Sequence, residues 1–425
     1  MFNKELGKKI FVVLMGLAIF RMGSHIPVPG IDAYALSLMF QQTSGTIIDM
    51  FNSFSGGSLK RLSIFAIGVM PYISASIIIQ LLTLFNPAFK EIKNDGMKGQ
   101  VKLAKYTRYL TLIIGSAQAT ALINSVSGQT VSGYPVVPEQ SIVFFIVAVL
   151  SLLAGTMSVV WIAEKITEYG IGNGMSIVIF ASIVSNIPTS IMGTAELVKN
   201  GELSPAFALV VLVLIVVTLM VVVLMEKAQR RIPVVNSRTS EKHSHKNFLP
   251  FKVNMAGVLP PIIASSLMLL PTTIGSWLEG KTDVTFIQKI GAMLNHGSYI
   301  YLLVFASMVV FFSYMFNSVQ HNPYETAKRL KEGGTFIRGF MPGEKTGHYL
   351  NKMMSRLTFI GASYLAIVCI IPEILIYSWN IPFYFGGTSI LIMVMVALDW
   401  QTQIKAHYRS DDYKAIKKGL AEELK

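Results

Sequence analysis

Residues 46–68 read TIIDMFNSFSGGSLKRLSIFAIG, and an apolar run from 70 to 86 follows directly. Part of the first stretch is apolar enough to enter a membrane, yet Asp49, the Gly56–Gly57 pair and Lys60–Arg61 prevent one continuous span. Non-helical backbone at membrane depth is tolerated only where protein or a water-filled cavity surrounds it. Two readings therefore fit: a short re-entrant helix beside a cavity on the outer side, or an amphipathic loop packed on the surface.

The rest of the chain sets the context. Its 425 residues are 52% hydrophobic and only 14% charged, with a mean hydropathy of +0.54, which excludes an ordinary water-soluble globule. A span needs about 20 apolar residues. Ten stretches meet that need, near 9–26, 70–86, 107–126, 141–163, 171–193, 206–226, 255–277, 298–319, 354–373 and 383–400. Of the 36 lysines and arginines, 30 fall in loops that such a ten-span chain places on one side. The opposite loops hold only Lys60, Arg61, Lys199, Lys281 and Lys289. This asymmetry puts the basic loops, the N-terminus and the C-terminal tail in the cytoplasm.

The first apolar run also resembles a signal peptide, but Arg21 and Pro27–Val28–Pro29–Gly30 follow it where a small-residue cleavage site belongs, so it reads as a retained span. Arg21 sits near the outer end of that span, where a long side chain can snorkel to the interface. The net charge of +13 is spread over six loops with no compact basic domain, and anionic head groups account for it better than nucleic acid does. A ribosome docking on that face fits the same charges.

The interiors of the later spans lack Asp, Glu, Lys, Arg and His, for example from Pro71 to Phe85, Ile142 to Ala163 and Tyr299 to Gln320. Proton- or sodium-coupled transport and intramembrane catalysis normally place ionisable groups there, so a small-solute secondary transporter is the second choice and an enzyme the third. No metal or cofactor motif emerges. Cys369 is a single apolar-run cysteine, and His243 and His245 have no third ligand near them. Gly170–Ile171–Gly172–Asn173–Gly174 lacks the spacing of a dinucleotide fingerprint and reads as a tight turn opening the fifth span.

Several spans carry small polar side chains: Ser76 and Gln80 on one face of the second, Gln118 and Thr120 in the third, Ser265 and Ser266 in the seventh. Such residues either glue neighbouring helices or line a seam weak enough to part. Ten spans divide five and five across the long basic loop after the sixth, and an odd number inverts one half relative to the other.

The runs PVPGIDA (28–34), IIDMFNSFSGGSLKRLSIFAIGVMPYISASIIIQLL (47–82), GIGNGMSIVIFASIV (170–184), FKVNMAGVLPPIIASS (251–266), NPYETAKRLKEGG (322–334) and PFYFGGTSILI (382–392) resemble the SecY family, the central subunits of bacterial protein-translocation channels. The likeness covers essentially the whole chain in order. It implies an all-α integral membrane protein of ten transmembrane helices, in two pseudo-symmetric inverted five-helix halves around a central pore, with a re-entrant plug helix. The halves would be 1–200 and 201–400, followed by a cytoplasmic tail, 401–425.

By motif match, the resemblance implies a mid-membrane pore ring of Val69, Ile73, Met175, Ile179, Ile262 and Ile392, with Met175 departing from the usual branched aliphatic. It implies a plug near 53–66, comprising Ser53, Phe54, Ser55, Gly56, Gly57, Ser58, Leu59, Lys60, Arg61, Leu62, Ser63 and Ile64, and a lateral gate between spans 2 and 7 bearing Ser76, Gln80, Ser265 and Ser266. The loops 227–252 and 321–353 resemble the docking surface for the motor ATPase SecA and for ribosomes, with Arg230, Arg231, Lys242, Lys246 and Arg338 as contacts. Here the chain reads Arg338–Gly339–Phe340–Met341–Pro342–Gly343, so Met341 stands at the family's usual arginine and Arg338 at a usual proline. The implied partners are SecE, SecG, SecA, the ribosome, signal sequences and their precursor polypeptides, and anionic lipids. The implied activity is passive conduction in the bacterial cytoplasmic membrane, with no cofactor and no catalysis.

Overall fold

Helix starts in this chain follow from short local signals. Asn86, Ser141, Asn173, Ser204, Ser298 and Asn322 each hold extended backbone before a helix and accept a hydrogen bond from a backbone N–H of its first turn. Pro87, Pro205 and Pro323 follow three of these caps, where the missing N–H costs nothing.

The computed structural model describes residues 4–32, 35–36, 55–128, 130–131, 134–138, 140–201, 204–236, 248–278, 298–379 and 387–423. Among the described residues, ten helices lie along the ten stretches anticipated above: α1 (Lys4–Gly23), α2 (Met70–Phe85), α4 (Met97–Ser127), α5 (Ile142–Tyr169), α6 (Gly174–Lys199), α7 (Pro205–Lys227), α8 (Leu259–Leu278), α9 (Tyr299–Gln320), α11 (Glu344–Trp379) and α12 (Gly387–Glu423). Two short polar helices, α3 (Pro87–Asn94) and α10 (Pro323–Glu332), lie between them. Among the described residues, six helices are by themselves long and apolar enough to cross a membrane, and α2 with α3, bent by 99° at Asn86, forms a seventh candidate. Several helices run past the apolar core of their span; α4, α11 and α12 carry basic residues well into the polar region.

The chain divides into two compact units. The first comprises Met1–Glu202 with Pro382–Phe385 and Ile392–Lys425; the second comprises Leu203–Ile381 with Gly386–Leu391. In the first unit α1 packs on α5 and α6, α2 on α4, α4 on α5, and α5 on α6. A core of Val28, Leu36, Leu59, Leu62, Ala66, Ala119, Ile123, Val126, Ala148 and Leu152 draws together α4, α5 and the segment that precedes α2. Small residues allow these approaches: a Cβ on Gly155 of α5 would meet the Ile64 carbonyl oxygen at 1.9 Å.

In the second unit α9 packs on α8 and α11, and α10 on α11. The two basic loops, read from sequence as loops, here build an antiparallel sheet ordered β4–β3–β5, from Gln229–Asn236 (β3), Phe248–Lys252 (β4) and Thr335–Ile337 (β5). The register pairs Ile232 with Leu249 and Val234 with Ile337, setting apolar side chains on one face. That face covers Ala327 and Leu350, forming a small core with Phe251, Leu330 and Met353. Each large side chain fully buried there contributes about 1.5–3 kcal/mol. A two-residue hairpin, β1 (Thr130–Val131) with β2 (Tyr134–Pro135), links α4 to α5 in the first unit.

Candidate functional site

The segment that leads into α2 is anchored by the end of α1. Pro27 bridges to Ser63; the Val28 N–H donates to the Leu62 carbonyl at 2.9 Å, and the Ile64 N–H to the Ile26 carbonyl at 2.9 Å. Phe20 stacks on Phe65 with ring centroids 5.9 Å apart. Ser55, Gly56, Ser58, Leu59, Leu62 and Ser63 are buried, whereas Arg61 is exposed. The expected helix here is a correction: residues 55–69 are wound in successive turns, because Gly56, Gly57, Leu62 and Gly68 all take positive φ, which a right-handed helix cannot accommodate. Ser53 and Phe54 lie outside the described residues.

Arg21 behaves differently from the snorkelling side chain anticipated for it. Its Nη1 donates to the Gly56 carbonyl at 3.0 Å. Gly56 in turn lies against α6, since a Cβ there would come within 3.2 Å of the Ser182 Cα and 3.3 Å of the Ser185 Oγ.

The six ring candidates fall on both units. Val69, Ile73, Met175, Ile179 and Ile392 belong to the first and Ile262 to the second. Val69 and Ile73 are one turn apart at the start of α2, and the Ile73 N–H donates to the Val69 carbonyl at 3.0 Å. Met175 and Ile179 are likewise one turn apart at the start of α6. Val69, Ile179, Ile262 and Ile392 are buried; Ile73 and Met175 are half-buried. The glycine run before α6 is the tight turn anticipated: Gly172 has φ +94°, Asn173 caps the helix, and Gly174 donates to Thr167 Oγ1 at 2.8 Å.

On α2, Gln80 Nε2 donates to Ser76 Oγ at 3.3 Å, so the pair does share a face. On α8, Ser265 and Ser266 both donate to the Ile262 carbonyl, at 2.9 and 2.8 Å. Their hydroxyls are satisfied within their own helix.

The basic surface of the second unit is more defined than its sequence suggests. Arg230 of β3 lines a cavity of about 310 Å³ with Tyr349, Lys352, Met353, Arg356 and Leu357. Lys352 and Arg356 are not among the contacts the resemblance implies; their spacing of four on one helix is the signal for them. Arg231 lies over the Phe248 ring at 4.8 Å from its centroid. Arg338 is exposed just after β5, and Phe340 beside it stacks on Tyr349 at 4.1 Å. Lys242 and Lys246 lie outside the described residues.

Comparison with known proteins accounts for this combination of elements. The SecY family profile matches residues 63–401. The chain belongs to the SecY family. It is 44% identical over 419 residues to the protein translocase subunit SecY of Haemophilus influenzae, covering 97% of this chain and 94% of that one. SecY of Escherichia coli K12 is 44% identical over 420 residues, with the same coverage. Among solved structures, a protein-conducting channel superposes with a TM-score of 0.70 at 15% identity, over 98% of this chain and 96% of that one. Sec61 from the canine ribosome–channel complex gives 0.68 at 15% identity, with the same coverage. A SecY structure whose plug domain is described as stabilising the closed state gives 0.68 at 17% identity, over 98% of this chain and 96% of that one. These likenesses establish the SecY fold, a ten-helix membrane architecture, and a multi-pass protein of the bacterial membrane.

Proposed function

We propose that this chain is the channel subunit of a bacterial protein translocase, passing unfolded secretory polypeptides across the cytoplasmic membrane and releasing hydrophobic segments sideways into the bilayer. The observation that carries this reading is the 44% identity to protein translocase SecY subunits along 97% of the chain. The protein is a conduit and not a catalyst, so the energy comes from partners.

In this reading 1–200 and 201–400 are the two halves of the channel, with both termini in the cytoplasm. Val69, Ile73, Met175, Ile179, Ile262 and Ile392 form the constriction. A narrow apolar ring stays dry and blocks ions, yet can spread around an extended chain without sequence-specific hydrogen bonds. The burial of residues 55–69 against α1, α4 and α5 supports their role as a plug. Ser76 and Gln80 on α2 and Ser265 and Ser266 on α8 belong to the gate helices. A hydrophobic signal sequence entering between those helices supplies the differential interaction that opening requires. Arg230, Arg231, Lys242, Lys246 and Arg338 dock SecA or the ribosome, and SecE and SecG complete the channel. The sheet and its small core support this assignment by giving Arg230, Arg231 and Arg338 a rigid base.

The test is reconstitution. Proteoliposomes containing this chain with SecE, SecG and SecA should render a signal-bearing precursor protease-protected when ATP is added. A precursor that stays exposed, together with saturable uptake of amino acids or sugars, contradicts the reading.

A further inference from the structure

Arg21 is the one basic residue of the first apolar run that is neither before the span nor in a loop, and its guanidinium is spent on a backbone carbonyl of the segment before α2. We propose that Arg21 is the latch of the plug: its hydrogen bond to Gly56 holds the segment in its seat, and loss of that bond is a step in channel opening. The inference rests on the reading of residues 53–66 as the plug.

Three features make Arg21 a holding point and not an incidental contact. First, its own backbone is fixed, since Ser24 Oγ donates to the Arg21 carbonyl at 2.7 Å and His25 Nδ1 lies 2.8 Å from the same oxygen. Second, the far end of the segment is held separately, by the backbone hydrogen bonds between Val28 and Leu62 and between Ile64 and Ile26, and by Phe65. Phe65 fits against Gly23 so closely that a Cβ there would meet its ring at 2.1 Å, and Phe20 stacks on it. Those contacts hold residues 62–65, whereas the charge-assisted bond from Arg21 acts directly on the Gly56–Gly57 turn. Third, Gly56 at φ +68° can present its carbonyl to Arg21 while its Cα lies against Ser182 and Ser185 of α6, a position any side chain would strain.

The consequence is specific. Without the latch, the resting channel opens more often and admits precursors whose signal sequences are too weak to open the parent. A residue of purely structural importance would instead lower the passage of every precursor.

The experiment uses the full chain with SecE and SecG in planar bilayers, and with SecA and ATP in proteoliposomes. The parent, Arg21→Met, Arg21→Lys and a deletion of residues 56–64 are compared. Met keeps the aliphatic stem without the donor, and should raise resting ion conductance roughly tenfold, the factor expected for a lost charge-assisted hydrogen bond. It should also raise the protection of a precursor with a defective signal relative to one with an intact signal. Lys keeps the charge on a shorter reach and should fall between Met and the parent. If Arg21→Met seals as tightly as the parent while the deletion leaks, the latch is overturned and the plug reading stands. If the deletion also seals, both are overturned. If Arg21→Met lowers passage of both precursors equally without added conductance, Arg21 is only structural and the latch is overturned.

Discussion

Asn254 donates its side-chain amide to Glu226 Oε1 at 2.6 Å, tying the end of α7 to the approach to α8, and both residues are buried. The same amide reaches the Gly257 carbonyl, and the Gly257 N–H returns to Asn254 Oδ1 at 3.1 Å. Gly361 of α11 closes over the junction, since a Cβ there would meet the Val253 carbonyl at 2.8 Å. A buried carboxyl that loses a donor retains its desolvation penalty. Asn254→Ala should therefore destabilise the protein by about 1–3 kcal/mol. The readout is the thermal midpoint of the purified complex, which should fall; an unchanged midpoint would show that the junction is not held by this pair.

Gly155 tests the packing of the proposed plug from the opposite side. An added methyl would sit 1.9 Å from the Ile64 carbonyl oxygen, so backbone must move. Overpacking of this kind costs about 1–3 kcal/mol. Gly155→Ala should expose residues 55–69 to limited proteolysis while leaving cleavage near β3–β5 unaltered. Equal protection in both proteins would remove the close approach from the account.

Much of this architecture is legible along the chain, because its signals are local. Asn, Ser and Pro mark the helix starts at 86–87, 204–205 and 322–323, and the sorting of lysine and arginine marks the spans. What escaped depends on distant partners. The alternation of Ile232 and Val234 is visible, but pairing with 335–337 across β4 and the three helices α8, α9 and α10 is not. The turn-by-turn path of 55–69 is dictated by Pro27 and Val28, and the guanidinium of Arg21 is aimed by contacts that no periodicity encodes. The ring candidates are ordinary apolar residues one by one, so only family resemblance selects them.

Arg108 and Glu164 join α4 to α5 through a two-point ion pair, with Nε to Oε1 at 3.0 Å and Nη2 to Oε2 at 2.8 Å. Both side chains remain partly exposed, which limits the pair to about 0.2–1 kcal/mol. Arg108→Lys keeps the charge and loses the fork, so it should lower stability by no more than about 0.5 kcal/mol, with the difference shrinking as salt is added. A large loss that persists at high salt would mean that the contact acts by packing.

The central claim is that an apolar constriction seals the resting channel, and it is tested most directly by the conductance of Ile73→Asn combined with Ile262→Asn. Amide side chains at those two positions would hold water where the parent excludes it. In planar bilayers, with SecE and SecG present and no precursor, the double variant should carry a steady ion current well above that of the parent. A double variant that assembles normally and remains as ion-tight as the parent would contradict the account.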